Sequence, residues 1–273
     1  MENIRQAVER AKANGLQQPN GFQAEPLRKQ ARPSPIEHSK SKQKAQELEL
    51  DSACLQSHRI VAYDGQDPRS RSFDILRTEV LRSMDLKGWK TLAVTSPTPS
   101  CGKTLTAVNL ALSIARQPDR QVCLVDLDLR KPQVAVSLGL SCREGVLGVL
   151  EGRVEIENAT IEARVGSSRL EVLPTAASPD SPDLVASTAM RTFLQDVAGA
   201  RKSRIVIFDL PPLLTGHDVI SILPHIDCVL FVAAVGVSKV SEIEECYTYL
   251  QEADLVRFVL NKVPQSATTY AYY

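Results

Sequence analysis

Thr91-Leu92-Ala93-Val94-Thr95-Ser96-Pro97-Thr98-Pro99-Ser100-Cys101-Gly102-Lys103-Thr104 runs from a short apolar stretch, through a loop of prolines and small residues, into an amphipathic pattern. A strand, a tight loop and a helix N-terminus in that order aim backbone N–H groups and the positive end of a helix dipole at an anion. The final Gly-Lys-Thr matches the end of the phosphate-loop pattern G-x-x-x-x-G-K-S/T, with Pro97 in the first glycine position. Pro97 and Pro99 have no N–H to give, so the cradle falls to Ser100, Cys101, Gly102, Lys103 and Thr104. Gly102 permits close backbone approach, Lys103 reaches the β- and γ-phosphates of a nucleotide such as ATP, and the Thr104 hydroxyl is a ligand for Mg2+. Taken alone, Gly-Lys-Thr is as well read as an ordinary helix start.

Two further strand ends change that balance. Val122-Cys123-Leu124-Val125-Asp126-Leu127-Asp128-Leu129-Arg130-Lys131-Pro132 closes an apolar run with two carboxylates spaced i, i+2, which can both point toward the strand's carboxyl end. Ile205-Val206-Ile207-Phe208-Asp209-Leu210-Pro211-Pro212 closes another with a carboxylate placed to hold magnesium through water. Apolar runs at 91–95, 122–126, 170–173, 205–209, 228–233 and 256–260 read as strands. Helical stretches at 103–116, 182–197 and 238–250 lie between them. Near-continuous apolar strands alternating with helices predict an α/β fold, a mostly parallel sheet flanked by helices, with ligands at the strands' carboxyl ends.

Residues 1–58 differ in composition, being rich in Gln, Lys, Arg, Ser and Pro, and read as a disordered basic leader. Ile4, Ala7, Val8 and Ala11 have helical spacing within it. Residues 1–48 carry nine Lys or Arg against five Asp or Glu, so the zero net charge of the 273-residue chain is the sum of a basic leader and an acidic remainder. That balance gives no footing for a nucleic-acid coat. The longest strongly apolar run, 228–237, is far short of the roughly 20 residues that span a bilayer. The N-terminus has no signal-peptide pattern, and a cytoplasmic location is expected. Six cysteines without C-x-x-C spacing read as reduced thiols.

From about residue 71 to 273 the chain resembles the bacterial tyrosine kinases of capsule and exopolysaccharide synthesis, in their detached cytoplasmic form. The residues that carry the likeness are Ser96-x-x-Pro99-x-x-Gly102-Lys103-Thr104, Asp126-Leu127-Asp128-Leu129-Arg130-Lys131-Pro132 and Asp209-Leu210-Pro211-Pro212. Supporting them are Gly145-Val146-Leu147-Gly148-Val149-Leu150-Glu151-Gly152, Leu173-Pro174-Thr175 and Val259-Leu260-Asn261-Lys262-Val263. The resemblance implies a P-loop NTPase fold of the MinD/ParA-like type spanning 59–264, followed by a tyrosine-bearing tail at 265–273. It implies autophosphorylation of Tyr270, Tyr272 and Tyr273, which are three of only six tyrosines. Lys103, Asp126, Asp128 and Asp209 become the catalytic set, with Asp126 receiving the tyrosine proton and Asp128 and Asp209 completing the Thr104 magnesium site; Asp126 and Asp128 are interchangeable on this reading. Arg130 and Asn261 join the loop residues as nucleotide contacts. Implied partners are a membrane adaptor, the polysaccharide chain-length regulator, which activates the kinase and recruits it to the inner face of the membrane; further copies of the chain; and a cognate tyrosine phosphatase.

The chain also departs from the family. Ser100-Cys101 stands where Gly-Glu is common, and Leu210 where Thr is common. In the family's oligomerisation helix, Glu-x-x-Arg-x-x-Arg is replaced by Arg71, Asp74 and Arg77. Charge pairs between subunits then either persist with swapped polarity or are lost. The rival reading is a ParA/MinD-like ATPase switch, which carries a lysine where this chain has Thr98. A third is a catalytically weak ATP-binding regulator of a polysaccharide assembly complex.

Overall fold

The computed structural model describes residues 46–177, 184–201, 203–216, 218–251 and 253–264. The elements, in chain order, are β1 (Gln46–Glu49), α1 (Ser52–Ser57), α2 (Arg71–Lys87), β2 (Thr91–Thr95), α3 (Lys103–Ala115), β3 (Gln121–Asp126), α4 (Val134–Leu138), α5 (Gly145–Leu150), α6 (Ile156–Ala159), β4 (Ile161–Val165), β5 (Ser168–Leu173), α7 (Thr188–Gly199), β6 (Arg204–Asp209), α8 (Asp218–Ile222), β7 (Cys228–Ala234), α9 (Val240–Leu250) and β8 (Leu255–Asn261). The strands form one eight-stranded sheet in the order β1-β4-β5-β3-β6-β2-β7-β8. Every pair is parallel except the β4–β5 hairpin, whose turn contains Gly166 at φ +56°.

Both faces of the sheet are covered, as the continuous apolar strands require. Leu92, Val94, Leu124, Ile205, Ile207, Leu230 and Val232 face a core closed by α2 and α3, which contribute Val80, Met84, Leu110 and Ile114. Their strand neighbours Ala93, Val125, Val206, Phe208, Val229 and Phe231 face the opposite core, closed by Val146 of α5, Met190, Phe193 and Val197 of α7, and Cys246 and Leu250 of α9. The central strand β2 lies between β6 and β7, so the loops after β3, β6, β2, β7 and β8 emerge side by side at one edge.

Helix α3 ties this edge to the far side of its own face. Asn109, fully buried, accepts the N–H groups of Val61 and Ala62 at 2.8 and 3.0 Å and donates to Arg59 O and Leu105 O. Farther along, Ser113 Oγ donates to Asp74 Oδ1 at 2.6 Å, and Nη1 of Arg77 and Nη1 of Arg116 reach the same carboxylate at 3.1 and 2.9 Å. The reversed charge of Asp74 is thus satisfied within the chain, and Arg77, which also donates to Ser113 O, is turned to the same cluster.

Residues 46–58, expected to belong to the leader, form ordered structure. β1 pairs in parallel with β4, Leu50 N donates to Arg164 O at 2.7 Å, and Asp51 caps α1 by accepting from Ala53 N. Leu50 and Leu55 are buried in the first core. An edge strand of alternating charged and apolar residues looks like leader by composition, and its partner β4 lies more than a hundred residues away. The helix expected around Ile4 to Ala11, and the tail at 265–273, lie outside the described residues.

Candidate active site

Three strand ends build the site. β2 leads into the loop 96–102, in which Ser100 and Gly102 adopt left-handed φ values of +67° and +91°. These bends turn the chain into α3, which begins at Lys103. Thr106 N–H takes the first helical bond, to Gly102 O. The N–H groups of Gly102, Lys103 and Thr104 make no backbone hydrogen bond among the described residues, which is the arrangement that receives an anion.

β3 and β6 lie side by side with Asp126 opposite Asp209, and Leu127 N donates to Asp209 O. The carboxylates are buried, and Lys103 lies among them, 9 % exposed. Its Nζ is 2.9 Å from Asp128 Oδ2 and 3.6 Å from Asp209 Oδ1. Thr104 Oγ1 donates to Asp209 Oδ2 at 2.6 Å. Burial opposes the Lys103 ammonium, but Asp209 and Asp128 outweigh it and its pKa is raised. Burial, reinforced by the charge of Asp209, pushes Asp126 up to about 8, against the backbone N–H of Val134 and the charge of Lys103. Asp209 is raised as well, by burial first, against the pull of Lys103 and the Thr104 hydroxyl.

Asp126 and Asp128 are held differently. Asp126 Oδ1 accepts from Asp128 N, and its Oδ2 accepts from Gln133 N and Val134 N at the start of α4, so this carboxylate shapes the turn after β3. Asp128 has one oxygen on Lys131 N and the other on Lys103. Arg130 and Lys131 are exposed on the same loop, where Arg130 Nη1 approaches Thr215 O at 3.5 Å. Asn261, at the end of β8, donates to Cys101 O at 3.0 Å. Cys101 is itself fully buried, 3.3 Å from Ser238 Oγ in the loop after β7. Ser238 was not legible as a site residue: it lies 137 residues from Cys101, and only the adjacency of β7 to β2 brings the two together. Tyr270, Tyr272 and Tyr273 lie outside the described residues.

The donor set suits magnesium. The carboxylates of Asp128 and Asp209 both face the Lys103 ammonium in a hard oxygen environment, and Asp209 Oδ1 is buried without a hydrogen-bond partner. Among the described residues no three His, Cys, Asp or Glu side chains converge into a closed metal cage.

No protein-family model matches the chain. Among curated proteins, EpsB of Ralstonia nicotianae is 31% identical over 208 residues, covering 76% of this chain. The chain spans only 27% of the length of EpsB. Tyrosine-protein kinase YwqD of Bacillus subtilis is 30% identical over 165 residues, which is 60% of this chain and 68% of YwqD. Among solved structures, the kinase domain of Escherichia coli tyrosine kinase ETK matches at TM-score 0.59 and 26% identity, over 67% of this chain and 71% of that one. The chimerical protein CapA2B2 matches in fold at TM-score 0.68 and 22% identity, over 82% of this chain and 95% of that one. The septum site-determining protein MinD of Pyrococcus horikoshii, complexed with Mg-ADP, shares the fold at TM-score 0.53 and 17% identity, over 65% of this chain and 75% of that one.

Proposed function

The chain belongs to the bacterial tyrosine kinase family, and from that premise we propose that it is an ATP-dependent protein-tyrosine autokinase regulating polysaccharide synthesis and export. The observation that carries this reading is the meeting of Lys103, Thr104, Asp128 and Asp209 at three neighbouring strand ends, against the open N–H groups that begin α3.

Phosphoryl transfer asks the protein for positioning and charge neutralisation more than for covalent help. The N–H groups of residues 102–104 orient the phosphates, and Lys103 neutralises charge that builds on the transferring group. Thr104 and Asp209 would hold a magnesium ion, which would supply further positive charge to the phosphate oxygens. Of the interchangeable pair, Asp128 is the better placed to orient the incoming tyrosine and take its proton. It touches Lys103 directly, whereas both oxygens of Asp126 are engaged by backbone N–H groups. Asp126 then acts as the organiser of the loop that carries Asp128, Arg130 and Lys131. Tyr270, Tyr272 and Tyr273 are the acceptors, and a membrane adaptor activates and recruits the kinase; the likeness in sequence to detached kinases supports that partner.

Incubating the purified chain with magnesium and ATP, with and without the cytoplasmic segment of the adaptor, and mapping phosphotyrosine tests the reading. Label is expected on the three tail tyrosines and is absent from the Tyr→Phe triple variant. ATP hydrolysis with no tyrosine labelling under either condition would replace the kinase with a MinD-like switch.

A further inference from the structure

Asn261 stands at the end of the edge strand β8, and its side chain makes two contacts with opposite ends of its amide. Oδ1 accepts from the N–H of Lys262 at 2.7 Å, in a bend where Lys262 takes the left-handed φ of +57°. That bond fixes the plane of the amide and turns Nδ2 toward the phosphate loop, where it donates to Cys101 O at 3.0 Å. Cys101 sits between the two left-handed residues of the loop, and its thiol lies 3.3 Å from Ser238 Oγ, which in turn accepts from Ala234 N at 3.0 Å. The residue at the bend of the loop is therefore held from two neighbouring loops, after β7 and after β8.

The bond to Cys101 O has a geometric consequence one atom further on. The described residues contain no cis peptide, and in a trans peptide C=O and N–H point in opposite directions. With the Cys101 carbonyl turned to Asn261, the Gly102 N–H is turned away from it, and no backbone partner among the described residues engages that N–H. A Cβ at position 102 would collide with Asn261 Nδ2, so the glycine serves this contact as well as its own left-handed φ. Residues 102 and 261 are matched to each other across the gap between β2 and β8.

We propose that Asn261 is a positioning residue that holds the Cys101–Gly102 peptide in the one orientation that presents the Gly102 N–H to the phosphates. The proposal rests on the nucleotide reading of the loop and goes beyond it, because it converts an expected nucleotide contact into a brace on the cradle. A brace on the phosphate cradle affects every nucleotide that places phosphates there, whereas a contact with the base affects some bases and not others.

The test is calorimetric titration of the full chain with Mg-ATP and Mg-GTP, comparing wild type with Asn261→Leu, which fills similar space without a donor, and with Asn261→Ala. Both variants are expected to weaken ATP and GTP by the same factor, about tenfold, the scale of one lost orienting hydrogen bond. The ATP-to-GTP ratio should stay as in wild type, and the thermal midpoint without nucleotide shows that each variant is folded at the titration temperature; if Asn261→Leu packs poorly, Asn261→Ala carries the comparison. Loss of ATP affinity with GTP affinity unchanged would place Asn261 on the base and overturn the brace, and so would unchanged affinity for both. A wild-type chain that binds neither nucleotide removes the nucleotide reading itself, a failure visible before any variant is compared.

Discussion

Lys103 is buried among like-buried carboxylates, and burial alone would favour its neutral form. Its pKa is raised because Asp209 and Asp128 outweigh that cost. Removing the ammonium leaves those carboxylates facing one another, and breaking a buried pair costs about 3–5 kcal/mol. Lys103→Ala should therefore lower the stability of the metal-free protein on that scale in urea titrations, and magnesium should restore part of it. Phosphotyrosine labelling by the same variant should fall about 100-fold or more, the range for losing one charge-stabilising group. Asp128→Asn should abolish labelling while leaving Mg-ADP binding within a few-fold of wild type. If Asp126→Asn has that phenotype and Asp128→Asn does not, the assignment of the proton acceptor is reversed. Asp126 also sets a pH dependence. Its folded pKa of about 8 is raised above the ordinary 3.8, so between those values the folded state binds a proton that the unfolded state has released. The contribution of Asp126 to the stability of the metal-free protein is fully present below the lower value and is lost as pH rises to about 8. Thermal midpoints measured across this window should flatten in Asp126→Asn.

At the scale of elements, α3 is the part on which the site depends. Its first turn carries Lys103 and Thr104, its middle holds the 59–62 segment through Asn109, and its last turn holds α2 through Ser113. Asn109→Ala leaves the N–H groups of Val61 and Ala62 without their acceptor. At about 1–3 kcal/mol for each buried unsatisfied group, a loss of roughly 2–6 kcal/mol is expected by denaturant titration. The central strands were legible to within a residue or two, since apolar runs flanked by Pro, Gly and Asp have few other readings. β4 is not evident from the sequence, although Ile161, Ala163 and Val165 alternate with Glu162 and Arg164, because it is short and two of its five residues are charged. Within the helical stretch expected at 182–197, Leu184 and Val185 are helical, the helix breaks at Ala186 and Ser187, and α7 begins at Thr188 with Ser187 accepting from Met190 N. The oxygen of Ser187 satisfies an N–H that the first turn cannot.

For the whole molecule, the part of the chain before residue 59 is the informative region. A chain beginning at residue 59 loses β1, leaves an edge of β4 unpaired, and empties the space of Leu55, which is fully buried. Large-to-small changes at buried leucines cost about 2–5 kcal/mol, so its thermal midpoint should fall well below that of a chain beginning at residue 46. Equal midpoints would show that β1 and α1 add nothing to the core. The family, the α/β class and the strand ends that bring Lys103, Thr104, Asp126, Asp128 and Asp209 together were readable along the chain. Those features are local, because a strand end, a loop and a helix start are contiguous and their residue types are dictated by what an anion and a cation require. Which carboxylate meets Lys103, why Gly102 has no side chain, and how Asn261 and Ser238 reach Cys101 could be decided only by the folded sheet. Each depends on the strand order that sets β6 and β7 beside β2 and β8 beyond them, and that order is fixed by packing on both faces across more than a hundred residues of sequence.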